Sequence, residues 1–496
     1  MNGKMSQNYG DDASLETELL NPFIHRLELS TTYDKIKTAV FTVAVLPFRV
    51  AAICGLLMIA WCLACIGLCG LSESELRSKP MTGWRKATKM VICTIMRALF
   101  VAGGFHWVTV KGKQATPKEA PVLAVAPHSS YSDALAVIYL GAPSVVAKGE
   151  IGQIPFFGKL INYTQPVYVW REDPHSRQNT IKEIIERANS KLNWPQVLIF
   201  PEGTCTNRSC LITFKAGAFY PGVPVQPVCI RYPNKLDTVT WTWEGPGVLK
   251  LLWLTLTQVH SCCEIEFLPV YKPSEEEIYD PRLFANNVRK VMAKALGVPV
   301  SNYTYDDCRL MTRAKQMNLP FAGHLIEMQK LRNTLGLTKT NPEESIIVSD
   351  SFRSLKNGYS VSLKEFSEML MLSPTDPAVV QLFKLCDTNF TGFIDFREYL
   401  LTVLVISKNG NLSEMLFLMF KLMDEEGSGR IRESVFCSVL HQALSMSIEH
   451  CSSIFRQIDK SRKGYVTFDE FKSYGERHKE FSNVFKQNSD AKPKSE

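Results

Sequence analysis

The chain begins polar and then becomes almost wholly apolar. Residues 1–33 mix charges and contain no apolar signal-like core, so we predict a disordered segment without a signal peptide. From Ala39 to Leu71 only Pro47 and Arg49 interrupt the apolar run, and its last 22 residues carry no charge. That length is enough to cross a bilayer's hydrocarbon core. The pattern predicts a membrane anchor over residues 34–90, either a spanning helix or a hairpin kinked at Pro47.

A second apolar segment, Met90–Phe105, carries Arg97 and ends at two glycines. Its pattern is typical of an amphipathic helix that leads into the next domain along the bilayer surface. Basic residues also cluster after the first apolar run, as Arg77, Lys79 and Lys86 show. This charge bias favours a cytosolic location for the part of the chain that follows the apolar run.

Residues 91–300 alternate short β-branched apolar runs with helical patterns, which predicts an α/β domain with a mixed sheet. The predicted strands are Val122–Ala126, Ser144–Ala147, Val167–Trp170, Val197–Phe200, Val225–Ile230 and Glu264–Val270. The predicted helices are Ala134–Leu140, Asn179–Leu192 and Arg282–Leu296. The stretch Gly245–Val259 is unusually apolar and fits either core or a lipid-facing surface, and we favour core.

A linker over 301–345 precedes an all-α region over 346–480 and a tail over 481–496. In that region three segments recur at a spacing of about 35 residues, each an apolar helix that ends in Asp with Gly five residues later. A vestigial fourth unit is predicted around Leu355–Phe366.

Composition narrows the classes of function. A net charge of +7 on 496 residues is mild, and no basic run with interleaved aromatic residues indicates a nucleic-acid partner. The 14 cysteines are scattered without a zinc or disulfide pattern, which favours reduced thiols facing the cytosol.

Candidate chemistry begins where the apolar run Pro121–Ala126 ends. His128 follows it, and Asp133 comes five residues later. On a continuous helix the two side chains would lie roughly 140° apart, so they meet only if residues 129–132 form a turn and Ser132 or Asp133 opens the next helix. A carboxylate on one imidazole nitrogen leaves the other nitrogen free to act as a base. We predict that His128 and Asp133 are catalytic.

A second motif, Phe200–Thr204, closes the predicted strand Val197–Phe200, at the edge where open α/β sheets bind ligands. It places Glu202, Gly203 and Thr204 together, with Cys205 next to them. No sequence signal indicates an activated Cys205 thiol, so we interpret it as a bystander.

These two motifs, in this order, resemble those of the glycerolipid acyltransferase family of the lysophosphatidate type. Two further blocks match: Tyr168–Arg171 resembles the family's arginine-bearing second block, and Val223–Val228 its fourth. Lys148 lies in another matching segment, where phosphate contact and a plain surface lysine are equally good interpretations.

The resemblance implies acyl transfer from acyl-CoA or acetyl-CoA to a lysophospholipid hydroxyl. His128 would be the general base and Asp133 would orient it. Arg171 would contact phosphate, and Glu202, Gly203 and Thr204 would hold the glycerol or head-group end.

One departure concerns the head group. Residues 202–207 read Glu-Gly-Thr-Cys-Thr-Asn, whereas phosphatidate-forming members have Arg after the Thr. This version resembles the lysophosphatidylcholine acyltransferases with C-terminal EF-hands, whose relatives include the enzyme that acetylates lyso-platelet-activating factor. The alternatives are a lysophosphatidate acyltransferase and a non-catalytic calcium-binding membrane scaffold.

Residues 387–398 match the twelve-residue EF-hand loop, which predicts a calcium site. Its ligands would be Asp387, Asn389, Thr391, the carbonyl of Phe393, Asp395 and Glu398. In the next loop Asp424, Glu426 and Ser428 make only a weak set, because Val435 stands in place of the bidentate Glu. In the third loop Lys463 occupies a ligand position. We expect one working loop.

The implied partners are membrane lysophospholipids, acyl-CoA and the lipid bilayer, with no nucleic acid and no identified protein partner. These substrates imply the endoplasmic reticulum membrane, with the catalytic and EF-hand regions cytosolic; the Golgi and lipid droplets are alternatives.

Overall fold

The computed structural model describes residues 21–170, 175–316, 322–354, 359–387, 390–406, 412–444 and 446–477. The chain divides into two compact units, with the division after Cys308. The first unit contains the N-terminal helices and the α/β fold, and the second contains the calcium-loop repeats.

The N-terminal helices form a hairpin. They are α1 (Thr32–Ala44), α2 (Leu46–Leu68), α3 (Glu73–Ser78) and α4 (Gly83–Ala102). Arg85 at the start of α4 donates to the carbonyl oxygens of Gly67 and Cys69 at the end of α2, so α2 and α4 run antiparallel. Pro47 lies in the first turn of α2, where its missing N–H breaks no helical hydrogen bond.

Helix α2 is the only helix in the described part of the chain that is long and apolar enough to cross a membrane, with a mean hydropathy of 2.4. Both of its ends contact the α/β fold. Near its start, Arg49 donates to the carbonyl oxygens of Leu256 and Gln258, each at 2.7 Å. Near its end, Gly67 packs against the ring of Tyr163, leaving no room for a Cβ atom. The helix therefore runs along the surface of the domain.

Residues 21–29 belong to the segment predicted to be disordered, but they hydrogen-bond to the α/β fold. The Asn207 side chain donates to the carbonyl oxygens of Asn21 and Ile24, at 2.8 and 2.9 Å. The backbone N–H of His25 donates to the carbonyl oxygen of Glu244 at 2.7 Å. The prediction of disorder therefore does not hold for these residues, because Phe23 and Leu27 are buried and the backbone bonds to residues far along the chain.

The α/β fold has one seven-stranded sheet, in the order β1-β7-β6-β2-β5-β3-β4. Its strands are β1 (Trp107–Lys111), β2 (Val122–Ala126), β3 (Ser144–Lys148), β4 (Val167–Val169), β5 (Val197–Ile199), β6 (Val225–Arg231) and β7 (Cys262–Phe267). All neighbours are parallel except β6 and β7. The predicted mixed sheet is confirmed; the prediction missed β1, whose residues are mostly exposed.

Helices lie between or after the strands, and the last of them crosses the division after Cys308. They are α5 (Ala134–Tyr139), α6 (Phe157–Asn162), α7 (Ser176–Ala188), α8 (Val248–Leu256), α9 (Glu275–Tyr279), α10 (Pro281–Leu296) and α11 (Tyr305–Gln316). Alternate residues of β2 serve two cores. Val122 and Ala124 pack with Phe284 and Val288 of α10, whereas Leu123 packs on the other face with α5. This two-sided burial explains why β2 is a continuous apolar run.

The carboxyl ends of three adjacent parallel strands carry the residues of interest. His128 follows β2, Glu202 follows its neighbour β5, and Tyr232 follows its other neighbour β6. Parallel strands end at one edge of the sheet, where open α/β folds bind their ligands.

The second unit is largely helical. Its helices are α12 (Ala322–Thr334), α13 (Leu337–Thr340), α14 (Pro342–Val348), α15 (Leu363–Met369), α16 (Pro377–Cys386), α17 (Phe396–Ile406), α18 (Leu412–Met423), α19 (Glu433–Leu444), α20 (Ile448–Ile458) and α21 (Phe468–Arg477). Its strands are β8 (Ser360–Ser362), β9 (Phe393–Asp395), β10 (Arg430–Arg432) and β11 (Tyr465–Thr467).

Each strand pair joins two repeats. Strand β8 pairs antiparallel with β9, which joins the predicted vestigial unit to the first calcium loop. Strand β10 pairs with β11, which joins the second and third loops. A loop that has lost its ligands therefore still supplies a strand to its neighbour.

Candidate active site

The turn after β2 brings His128 and Asp133 together. Residues Tyr131–Asp133 form one turn of 3-10 helix, and the Ser130 hydroxyl caps it by accepting from the N–H of Ser132 at 3.0 Å. Helix α5 then begins at Ala134. The structure therefore has the predicted turn, and Asp133 opens α5 as the residue before its first turn, without a side-chain cap; Ser130 caps the 3-10 turn.

Asp133 is buried and its carboxylate accepts four hydrogen bonds. Oδ2 accepts from His128 Nδ1 at 2.8 Å and from the backbone N–H groups of Ser129 and Ser130 at 2.7 and 3.1 Å. Oδ1 accepts from the Tyr232 hydroxyl at 2.6 Å. Because an ionised carboxylate only accepts, Nδ1 of His128 donates to Asp133, and Nε2 is the ring nitrogen that can act as a base when the imidazole is neutral.

The His128 ring is held on further sides. It stacks on the Phe200 ring, with centroids 4.2 Å apart and planes at 25°. The side chain of Cys205 also contacts the imidazole. Burial opposes protonation, but the Cys205 sulfur and the Asp133 carboxylate outweigh it and hold the pKa of His128 well above its usual value.

Glu202 is fully buried and binds the backbone of the His128 turn. Its Oε2 accepts from the N–H of His128 at 2.7 Å, and its Oε1 accepts from the N–H of Ile212 at 3.4 Å. Burial raises the pKa of Glu202 to about 7, and the hydrogen bond from His128 opposes that rise. The N–H of Thr206 donates to the His128 carbonyl oxygen at 2.8 Å, so the two motifs are joined twice.

The neighbours of Glu202 also have partners within the protein. Gly203 has a φ of +69°, and an added Cβ would meet the Lys215 side chain at 2.8 Å. The Thr204 hydroxyl accepts from the Trp243 indole N–H at 3.1 Å. Arg171 and Asn389 lie outside the described residues.

Sequence reasoning missed Tyr232, Trp241 and Trp243. The hydroxyl of Tyr232 is a buried donor to Asp133, and burial raises its pKa well above the usual value, so it stays protonated. The backbone N–H of Trp241 donates to the carbonyl oxygen of Ser129 at 2.8 Å. A tyrosine two residues beyond a predicted strand end was the one signal available, and nothing local connects it to Asp133.

The three calcium loops repeat one hydrogen-bond pattern. In each, the first Asp accepts from the backbone N–H groups four and five residues later: Asp387 from Thr391 and Gly392, Asp424 from Ser428 and Gly429, Asp459 from Lys463 and Gly464. The glycines at these positions have φ between +72° and +79°. This is the sharp turn that the EF-hand loop requires.

The loops differ in their remaining ligands. In the third loop Lys463 Nζ lies 2.8 Å from Glu470 Oε1, so a cation already occupies that carboxylate. In the second, Glu426 pairs with Arg432. In the first, burial raises the pKa of Glu398 to about 8, and Asp395 pairs with Arg397 at 2.6 Å. The first loop keeps oxygen-bearing residues of the expected types at every described ligand position.

Comparison with known proteins agrees with both units. Residues 107–231 match the Acyltransferase family model, and residues 413–474 match the EF-hand domain pair model. The first match contains His128, Asp133 and Glu202. The second contains the second and third loops, whereas the first loop precedes it.

Similar proteins match along nearly the whole chain. A "Lysophosphatidylcholine acyltransferase" of Drosophila melanogaster is 46% identical over 468 residues, 94% of this chain and 87% of the relative. The human "Lysophosphatidylcholine acyltransferase 1" is 43% identical over 465 residues, 94% of this chain and 86% of the relative. The human "Lysophosphatidylcholine acyltransferase 2" is 43% identical over 466 residues, 94% and 84% of the two chains.

Fold and site thus define an acyltransferase with an EF-hand module. The chain belongs to the lysophosphatidylcholine acyltransferase family. The resemblance drawn from the sequence motifs is confirmed.

Proposed function

We propose that this protein transfers an acyl group from acyl-CoA to the free hydroxyl of a lysophospholipid. The observation that carries the proposal is the buried Asp133 carboxylate, which accepts from Nδ1 of His128 and so leaves Nε2 as the basic nitrogen at the ligand-binding edge of the sheet. The names of the relatives support lysophosphatidylcholine as the acceptor, and lyso-platelet-activating factor with acetyl-CoA is the variant to include.

The chemistry needs no covalent enzyme intermediate. Nε2 of His128 removes the proton as the substrate hydroxyl attacks the thioester carbonyl, and Asp133 stabilises the imidazolium that forms. The tetrahedral intermediate then expels the CoA thiolate, which takes the proton from His128. Glu202 supports this geometry through the backbone N–H of His128, so its part is positioning rather than contact with glycerol.

Substrate contacts by Arg171, Gly203 and Thr204 remain part of the proposal. Arg171 would supply the fixed cation for the phosphate. Position 205 is Cys, where phosphatidate-forming members have Arg. One fewer positive charge favours a phosphodiester head group such as phosphocholine over the phosphomonoester of lysophosphatidate.

Calcium is proposed to act through the first loop, residues 387–398. Asp387, Thr391, Asp395 and Glu398, together with Asn389 and the carbonyl of Phe393, would hold the ion. When bound, calcium would order this loop and the β8–β9 pair attached to it. The anchor would place the protein in the endoplasmic reticulum membrane with both units cytosolic, and the Golgi and lipid droplets are the alternative locations.

The test is product formation by membranes that carry the wild type, His128→Ala or the matched control His260→Ala. His260 is an exposed histidine just before β7. Lysophospholipids with different head groups are supplied with acetyl-CoA and long-chain acyl-CoA, with and without a calcium chelator. We expect diacyl product from the wild type and the control but none from His128→Ala. Equal product from all three would overturn the catalytic proposal in favour of a calcium-binding scaffold.

A further inference from the structure

Helix α8 carries large apolar side chains on its exposed side, beside Lys250, as well as on its core face. Leu251 and Leu254 are buried and pack with Leu27. On the other face Leu249 is 81% exposed, and Leu252 and Trp253 are exposed as well. The preference for core in the stretch Gly245–Val259 therefore holds for one face, and the other needs a different explanation.

The exposed apolar surface continues onto α1. The Trp253 indole N–H donates to the hydroxyl of Thr42 in α1 at 2.9 Å, which places the two helices side by side. Helix α1 exposes Val40 and Val43, the latter by 79%. Lys37 of α1 donates to the Gln258 side chain at 3.1 Å, just beyond the end of α8.

The same surface adjoins the helix that can enter a membrane. Arg49 of α2 donates to the carbonyl oxygens of Leu256, Gln258 and Val259, which terminate α8. Because both ends of α2 contact the domain, α2 lies along the domain rather than pointing away from it. A bilayer that accommodates α2 therefore also reaches α8.

Two tryptophans extend this surface to the active site. Trp241 and Trp243 precede α8, and both are exposed, Trp243 by 52%. The indole of Trp243 donates to Thr204, and the backbone N–H of Trp241 donates to Ser129, the residue after His128. Tryptophan is the side chain that favours the boundary between lipid and water.

We propose that the exposed faces of α8 and α1, together with Trp241 and Trp243, form a lipid-facing surface that seats the active site on the bilayer. The occupant is the lipid surface, because this face is continuous with α2, the described helix that is long and apolar enough to cross a membrane. The lysophospholipid then reaches His128 along this surface without withdrawing its acyl chain into water. This substrate route rests on the proposed function; the lipid contact itself does not.

The contact is tested without reference to activity. The full-length protein is reconstituted in phospholipid nanodiscs that contain a phosphatidylcholine with a diazirine in its acyl chain, then irradiated and mapped by mass spectrometry. We expect lipid adducts on residues 248–253 and on α2, and none at Leu192, which is 54% exposed beyond α7. Adducts on α2 without any on 248–253 would overturn the proposal, whether or not a protein partner covers α8.

The substrate route is tested with Leu249→Glu/Leu252→Glu and the control Leu192→Glu. Each is assayed on a long-chain lysophosphatidylcholine in vesicles and on a short-chain one dissolved below its micelle concentration. We expect the double variant to lose at least about tenfold in kcat/KM on vesicles, from two leucines that no longer enter lipid, and much less on the dissolved substrate. Equal losses on both substrates, or no loss on vesicles, would refute the route. If the wild type acylates neither substrate, the proposed function fails, and the adduct map still decides the lipid contact.

Discussion

A single substitution, Asp133→Asn, removes the negative charge of Asp133 while keeping its hydrogen bonds. In Asp133→Asn the amide oxygen can take the place of Oδ2 and accept from His128, Ser129 and Ser130. The amide NH₂ then faces Tyr232, whose hydroxyl can rotate to accept. The hydrogen bonds survive, and what is lost is the negative charge beside the imidazolium.

The magnitude follows from the separation of the two groups. Nδ1 and Oδ2 lie 2.8 Å apart in a buried site. At an effective dielectric constant of about 20, unit charges this close attract by roughly 4–6 kcal/mol. At a pH above the pKa of His128 the imidazolium forms only as the hydroxyl attacks, so there this loss raises the barrier and lowers kcat/KM by about 10³- to 10⁴-fold.

The pH dependence should change in the same variant. The carboxylate helps to hold the pKa of His128 above its usual value, and only the neutral imidazole is a base. In the wild type the acidic limb of kcat/KM therefore lies above the ordinary histidine range, and activity rises with pH through it. In Asp133→Asn the limb moves to lower pH, because the imidazolium has lost its partner.

The assay measures initial rates of product formation as a function of pH. Thermal unfolding shows whether each variant is folded. Tyr232→Phe is the control: it removes a donor to the buried carboxylate, at a cost of roughly 1.5–3 kcal/mol of stability, but leaves the charge in place. In Tyr232→Phe the acidic limb of the kcat/KM profile should not move to lower pH. A folded Asp133→Asn protein that keeps a tenth of wild-type kcat/KM would refute this account of the site.

Three further predictions concern other parts of the chain. Glu202→Ala leaves the buried N–H of His128 without a partner, so kcat should fall by about one to two orders of magnitude while KM changes little. Glu398→Gln should weaken calcium binding, measured by calorimetry, at least about tenfold, whereas Glu470→Gln should leave it unchanged; equal effects would contradict the assignment of the first loop. Arg332 and Glu343 form a buried ion pair 3.0 Å apart, so Arg332→Met should lower the stability of the second unit by about 3–5 kcal/mol, and adding Glu343→Leu should restore most of it.

The pH dependence of stability offers one more check on Glu202. Its pKa in the folded protein is raised from the ordinary value to about 7, so the folded protein retains a proton that the unfolded chain releases. The protonated group therefore favours the folded state fully in acid. As pH rises towards 7, the free energy of unfolding falls by about 3 kcal/mol because of this group. Glu202→Gln should flatten this slope in urea unfolding, and an unchanged slope would argue that the carboxyl is ionised throughout.

The features of this protein that depend on neighbouring residues could be predicted from the sequence alone. The apolar run that becomes β2, the helical period of α10 and the Asp–Gly spacing of the calcium loops each depend on neighbours within a few residues. A strand buried on both faces must be continuously apolar, and an EF-hand loop must turn at its glycine. The same locality made it predictable that residues 129–132 turn, since His128 and Asp133 cannot meet on a helix.

The tertiary structure alone decided which distant residues complete the site. Tyr232 reaches Asp133 only because β6 lies beside β2, and Glu202 reaches the backbone of His128 only because β5 lies on the other side. Strand order leaves no trace in a single sequence. Nor does the division of α8 into a core face and an exposed face, because leucine and tryptophan suit a protein core and a lipid surface equally well, and only the packing shows which face is buried.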